Sequence, residues 1–455
     1  MKEAGAPFGL PPAAKAQLLE RIRGAPVHDA AGGPSAPSTS ERPELGHADA
    51  WAELALMRRA GEALGLENPF FRVNSGHASA WAEIDGRRVL NFSSYNYLGL
   101  NGDRRVTEAA QKAADRYGTS VSGSRVTSGE RPIHRELEAA LADVYGAEDA
   151  VTLVGGHATN VTVIAHLVGP GDAVVYDSLA HNSIIQGAQL SGAQRRSFQH
   201  NDLQDLDRVL GELAAKSRRR LIVVEGCYGM DGDAPDLAGL IRVARRHQAH
   251  IMVDEAHALG VLGARGLGIA EHCGVDPAEV DVWMGTLSKT LASCGGYIAG
   301  RAELVDYLRA SAPGFLFSVG MPAPAAAAAL EALRLMRQEP ERVARLQANG
   351  RTFAEAARAE GLDVGATLGA AILPIIVGGS LKTTLVANQL WREGVWSQPI
   401  LPPGVPERSA RLRFFVTSEH DPEDIRWAVR EAARALGEVK VDPALIKRLG
   451  RRPSK

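Results

Sequence analysis

From about Ala150 onward, short continuous apolar runs alternate with longer stretches of helical period. The runs stand at Val151–Val154, Ala173–Tyr176, Leu221–Val224, Ile251–Val253, Val282–Met284 and Tyr297–Ala299. Between them, stretches such as Leu203–Lys216 and Leu237–His247 bring apolar residues back every three or four positions, which predicts amphipathic helices. Strands apolar on both faces and separated by helices predict a mostly parallel sheet covered on both sides. In such sheets ligands bind beyond the carboxyl ends of the strands. Upstream, Trp81–Phe92 reads as a hairpin turning at Asp85-Gly86, and Ala48–Leu64 as an amphipathic helix. After Pro322 the pattern changes to helices over Pro324–Arg337 and Pro340–Glu360. Strands follow at Ile372–Val377, Trp396–Gln398 and Leu412–Val416, and a helix over Pro422–Leu436 closes a smaller α+β unit.

The expected division is an extension over 1–48, an N-terminal segment over 49–104, a large domain over 105–310, a small domain over 311–440 and a basic tail over 441–455. Within the extension, Pro11–Ile22 reads as a short helix with Leu18, Leu19 and Ile22 on one face. Gly24–His47 is rich in Pro, Gly, Ala and Ser, the composition of a flexible linker. Two readings stay open: a disordered tail with an incidental helix, or a docking helix on a tether, as in multi-enzyme assembly lines.

The 455-residue chain exceeds the size of one hydrophobic core, which agrees with a large and a small domain. Its net charge of -2 carries no electrostatic footprint for nucleic acid. The three cysteines, Cys227, Cys273 and Cys294, are odd in number and widely spaced. They suit a reducing compartment and neither a disulfide framework nor a metal site. No run is long enough to span a membrane, and no secretory apolar region opens the chain. A cytoplasmic protein is expected.

Two of the apolar runs end in unusual chemistry. Ile251-Met-Val-Asp254-Glu-Ala-His257 closes on an acid with a histidine three residues on. Asp281-Val-Trp-Met-Gly-Thr286-Leu-Ser-Lys289 delivers a lysine in the next turn. Taken singly, a solvated strand-end lysine and a capping aspartate are the ordinary readings. Delivered together to one sheet edge, they suit pyridoxal phosphate. Lys289 would form a Schiff base with the cofactor aldehyde, and Asp254 would keep the ring nitrogen protonated. Val154-Gly155-Gly156-His157 follows a strand and opens a helix, an anion site suited to the phosphate. His181, after the next strand, could stack on the ring. Glu225 opens a polar, glycine-rich turn after another. His257 would hydrogen-bond the phenolic oxygen, and Thr286 the phosphate.

With these residues assembled, the sequence resembles the α-oxoamine synthases, a branch of the fold type I pyridoxal phosphate enzymes. The resemblance covers roughly residues 68 to 438. It rests on Ser94-Tyr-Asn-Tyr-Leu-Gly99, Tyr117-Gly-Thr-Ser-Val-Ser-Gly-Ser-Arg125, His134-Arg-Glu-Leu-Glu138, Asp254-Glu-Ala-His257, Gly285-Thr-Leu-Ser-Lys289 and Ala410-Arg-Leu-Arg413. It implies a seven-stranded sheet and a decarboxylative condensation of a small amino acid with an acyl thioester on coenzyme A or a carrier protein. It also implies that Lys289 is the general base, that Arg413 grips the amino-acid carboxylate, and that Tyr95, Asn96 and Arg125 border the substrates. Members are homodimers, and Ser318 would reach the phosphate of the partner's cofactor. Three positions depart from the family pattern. Gly229 replaces a serine that hydrogen-bonds the cofactor, Val319 replaces a Ser or Thr beside the phosphate, and Leu401 replaces an arginine. Transamination, simple decarboxylation and a non-catalytic partner role are the alternatives. Lys289 argues against the last of these.

Overall fold

The computed structural model describes residues 58, 61, 62 and 65–440. The Pro11–Ile22 helix, its linker, most of the Ala48–Leu64 helix and the tail over 441–455 lie outside the described residues. The expected hairpin forms from β1 (Trp81–Ile84) and β2 (Arg87–Asn91). Asp85 and Gly86 both take positive φ, 49° and 72°, which matches the twist of a tight hairpin turn.

The large sheet contains β3 (Asp149–Leu153), β4 (Ala173–Asp177), β5 (Gln194–Phe198), β6 (Arg220–Glu225), β7 (His250–Asp254), β8 (Val282–Thr286) and β9 (Gly296–Gly300). Their order is β3-β9-β8-β7-β6-β4-β5. Only the pairings of β9 with β3 and β8 are antiparallel; the rest are parallel. Six of these strands were expected from the apolar runs. β5 was not, because Gln194-Arg-Arg-Ser-Phe198 is a mostly exposed edge strand and carries no apolar run. The apolar runs of the inner strands have a physical cause. Ile222, Val224, Ile251 and Val253 enter one core, whereas Leu221, Val223 and Met252 enter the core on the opposite face. Helices cover both faces. The helix Leu237–Arg246, for example, is capped where Asp236 accepts from the Gly239 N–H, and it ends in Arg245 and Arg246. Both ends thus complement the helix dipole.

The helix Ala323–Gln338, expected in the small unit, instead buries Leu330, Leu333 and Met336 in the large-sheet core. The small unit is built from helices Pro340–Ala359, Ser380–Arg392 and Pro422–Glu438 with β10 (Ile372–Ile376), β11 (Val395–Trp396), β12 (Gln398–Ile400) and β13 (Arg411–Phe415). The single strand expected over Trp396–Gln398 is two. β12 joins β10 and β13, while β11 pairs in parallel with β2 of the hairpin. A core of Leu90, Phe92, Phe353, Leu412 and Phe414 therefore fuses the hairpin's end to the C-terminal unit, with Phe92 meeting Phe414 edge-on at 5.4 Å.

Candidate active site

The turns beyond β3, β4, β6, β7 and β8 converge on Lys289, which stands three residues past the end of β8. Its Nζ lies 5.5 Å from the centre of the Tyr95 ring. Burial pulls the amine down to about 8, with Asp254 and Glu225 opposing that fall. Asp254 ends β7. Its Oδ2 accepts from Asn160 Nδ2 at 2.7 Å and its Oδ1 from the Ala256 N–H at 2.9 Å. Glu225 ends β6 directly opposite Asp254. Burial, and then the Asp254 charge, push it up to about 8. Its Oε1 also accepts from the His181 N–H at 2.8 Å, tying the turn after β4 to the centre of the sheet.

His181 caps the helix Asn182–Leu190, and its Nδ1 sits 2.7 Å from Ser183 Oγ. Burial lowers its pKa, so the imidazole is neutral. The His157 ring stands edge-on to it at 6.1 Å. Gly156 begins the helix Gly156–Leu167, and a Cβ there would stand 2.8 Å from Thr286 Oγ1. Only a glycine lets this helix N-terminus lie against the end of β8. The Thr286 hydroxyl is 3.0 Å from the Gly295 carbonyl and 2.7 Å from Ser288 Oγ. The Thr286 hydroxyl donates to that carbonyl, which leaves Ser288 Oγ as the donor in the second contact.

His257 is buried, and burial holds it well below its ordinary pKa. Its Nδ1 lies 2.7 Å from the Tyr97 hydroxyl. Arg413, on β13, is buried above the Phe415 ring at 4.5 Å and donates through Nη1 to the Gly229 carbonyl at 3.0 Å. Its Nε is buried with no partner among the described residues. Ser318 lies between the exposed Phe317 and Val319.

Two expected substrate contacts are otherwise engaged. Arg125 gives all its donors to Glu130, Glu138 and Thr152, including Nε to Glu130 at 2.7 Å, so none is left for a thioester. Asn96 donates to the Ala78 carbonyl at 3.0 Å and accepts from the Asn101 N–H at 2.9 Å, which makes it a loop organiser. Conversely, Tyr97 stood within a quoted motif without a role, and Asn160 follows the Val154–His157 segment without one, because their partners are 160 and 94 residues away.

A second cluster beside the site also escaped the sequence. His200 Nδ1 is 2.9 Å from Asp177 and its Nε2 is 2.7 Å from Asp233, which joins the turns after β4, β5 and β6. Burial opposes the charge, but the two carboxylates prevail and raise His200 from 6.5 to about 10. A raised pKa adds stability that is complete below 6.5 and is lost as pH climbs through about 10. The thermal midpoint of the wild-type chain is therefore expected to fall more steeply than that of His200→Gln between neutrality and that pH. Parallel curves would refute this, and the comparison cancels the contributions of the other buried acids.

Lysine, aspartate and a neutral imidazole beyond the carboxyl ends of a parallel sheet define a pyridoxal phosphate site of the fold type I class. The residues fit that group. A held carboxylate and a buried amine stand beyond neighbouring strands, and a glycine-opened helix N-terminus lies at the edge. The buried Arg413, without an ionic partner, keeps its Nε unpartnered among the described residues. Residues 87–431 match the family model for aminotransferase class I and II. An 8-amino-7-oxononanoate synthase of Symbiobacterium thermophilum is 42% identical over 351 residues, 77% of this chain and 89% of that protein. A serine palmitoyltransferase of Sphingobacterium spiritivorum is 38% identical over 373 residues, 82% of this chain and 93% of that one. The solved serine palmitoyltransferase of S. paucimobilis with a bound PLP–myriocin aldimine superposes with a TM-score of 0.82 at 29% identity, covering 86% and 99% of the two chains. The chain belongs to the aminotransferase class I and II family, and within it to the α-oxoamine synthases.

Proposed function

We propose that this enzyme condenses a small amino acid with an acyl thioester to give an α-amino ketone, carbon dioxide and a free thiol. Arg413 carries this reading. Burying a cation without an ionic partner is costly, and a substrate carboxylate in that place would offset the cost. Pyridoxal phosphate, when bound, supplies the electron sink that weakens bonds at the amino acid's α carbon.

The protein's residues do the rest. Lys289 holds the cofactor and takes the α proton, for which its lowered pKa is suited. Asp254, held by Asn160, would keep the ring nitrogen protonated. His181 would stack on the ring and His257 would serve the phenolic oxygen. The amides at Gly156 and His157 and the Thr286 hydroxyl serve the phosphate, Glu225 holds the His181 turn, and Tyr95 borders the thioester entry. The α carbon, its proton now on Lys289, attacks the thioester carbonyl carbon, and the sulfur leaves as a thiolate that takes up a proton. The carboxylate then departs as carbon dioxide, and the electron pair left at the α carbon takes up a proton that Lys289 can return.

A homodimer with Ser318 reaching the partner's site is supported by Phe317, which is 85% exposed, and Val319, 50% exposed, on either side of it. Val319 leaves Ser318 as the hydroxyl of that pair. No helix among the described residues is long and apolar enough to cross a membrane. The free cysteines favour the cytoplasm, and the extension over 1–48 favours an acyl chain delivered on a carrier protein or megasynthase.

Carbon dioxide release from carboxyl-labelled glycine, alanine and serine tests the reaction, each run without thioester, with acyl-CoA and with acyl-carrier protein. Thioester-dependent release is expected, whereas release without thioester would mark a simple decarboxylase. Arg413→Lys should raise the amino-acid KM by roughly 10- to 100-fold with a smaller change in kcat, because an ammonium cannot grip a carboxylate in two places. An unchanged KM would move the carboxylate elsewhere, and Leu401 shows that the family's other arginine is not there to take it.

A further inference from the structure

His257 and Gly229 approach more closely than a side chain at 229 would permit. A Cβ on Gly229 would stand 2.4 Å from His257 Nε2 and 2.7 Å from its Cδ2. Gly229 is absent from the residues with positive φ, so space and not backbone conformation is what demands glycine there. The other edge of the ring is held by Tyr97, whose hydroxyl lies 2.7 Å from Nδ1. Phe415 lies parallel to the imidazole at 6.1 Å, and Tyr95 meets it edge-on at 6.0 Å. Tyr97 therefore holds the ring at Nδ1 between flanking aromatics, while the chain passes beside Nε2 at Gly229 with no side chain to occupy that edge.

Burial keeps both groups neutral, holding the imidazole well below and the Tyr97 phenol well above their ordinary values. Nδ1 is the hydrogen-bond partner of the buried Tyr97 hydroxyl among the described residues. That hydroxyl must give its hydrogen to Nδ1 or leave it unpaired at a cost. Giving it makes Nδ1 the acceptor and places the ring's own hydrogen on Nε2.

We propose that Tyr97 and Gly229 are positioning residues for His257. Tyr97 sets the Nε2–H tautomer, and Gly229 leaves that donor edge free for the ring oxygen of the cofactor. The inference rests on the pyridoxal phosphate reading above. It also reverses the expectation drawn from the family pattern. A serine at 229 would not add a hydrogen bond in this chain; its Cβ would collide with the imidazole edge that the cofactor oxygen would meet.

The test compares full-length wild type, Tyr97→Phe, Gly229→Ala and Gly229→Ser, each stripped and reloaded with pyridoxal phosphate. The readouts are the cofactor dissociation constant and the visible absorption spectrum. Each variant is expected to bind the cofactor about tenfold more weakly with an altered visible band, the loss expected for one well-placed hydrogen bond. Tyr97→Phe spectra and affinity identical to wild type would overturn the role of Tyr97. Gly229→Ser binding as tightly as wild type would overturn that of Gly229. Should Tyr97→Phe fail to fold, the 15N chemical shifts of the wild-type His257 ring decide its role: a proton on Nε2 is expected, and a proton on Nδ1 would overturn it. A wild-type chain that takes up no pyridoxal phosphate would refute the functional reading itself, a result distinct from variants that match a loaded wild type.

Discussion

Lys289→Ala abolishes thioester-dependent carbon dioxide release, a loss expected to exceed roughly a thousandfold, because one side chain both anchors the cofactor and moves the substrate proton. The size follows from where the amine sits. A lysine in water is almost wholly protonated at neutrality, and a protonated amine is neither nucleophile nor base. Here burial draws the pKa down to about 8, so on the order of a tenth of the amine is free at pH 7. Asp254 and Glu225 limit the fall and keep the amine from becoming permanently neutral. The sign is testable without turnover. Uptake of pyridoxal phosphate by the stripped chain should quicken as pH rises towards 8 and level off above it. A rate that keeps climbing towards the ordinary lysine value would show that burial does not tune this amine. Lys289→Ala that still released carbon dioxide at the wild-type rate would remove the lysine from the reaction altogether.

Asp254→Asn is expected to cost about a hundredfold or more in kcat while the chain still folds and still binds the cofactor through its other contacts. The substitution preserves shape and burial and removes only the charge. Asn160 donates to Oδ2 at 2.7 Å and the Ala256 amide to Oδ1 at 2.9 Å, so an amide at 254 must turn its NH2 towards one donor or the other. Stability should therefore fall by about 1–3 kcal/mol alongside the loss of rate. Asn160→Ala isolates the two effects, because it leaves the charge and removes the hydrogen bond. Its rate should drop by about tenfold or less. Equal losses in the two variants would mean that orientation, and not charge, is what Asp254 supplies.

The inner strands of the large sheet were legible because each buries both faces, which forces an apolar residue at every position. β5 was invisible for the opposite reason: at the sheet edge, Arg195, Arg196 and Ser197 face solvent. One strand was expected over Trp396–Gln398, yet Ser397 separates pairings with two different sheets, which residue order does not show. In the site, Lys289, Asp254 and His257 could be read because each ends or follows a strand. Arg125 and Asn96 could be misread because motif membership does not say which groups a polar side chain satisfies.

Residue order by itself determined which groups stand at the carboxyl ends of strands, since strand length and apolar period are local properties. That was enough for the class of sheet, the lysine–aspartate pair and the chemistry it suits. Tertiary structure decided the partners. It placed Asn160 on Asp254 and Tyr97 on His257, brought Gly229 under the imidazole, and laid Arg413 beside the site from a different domain. Hydrogen bonds across 94 to 184 residues leave no trace in local periodicity. They exist because a buried polar group must find a partner wherever the packed chain provides one.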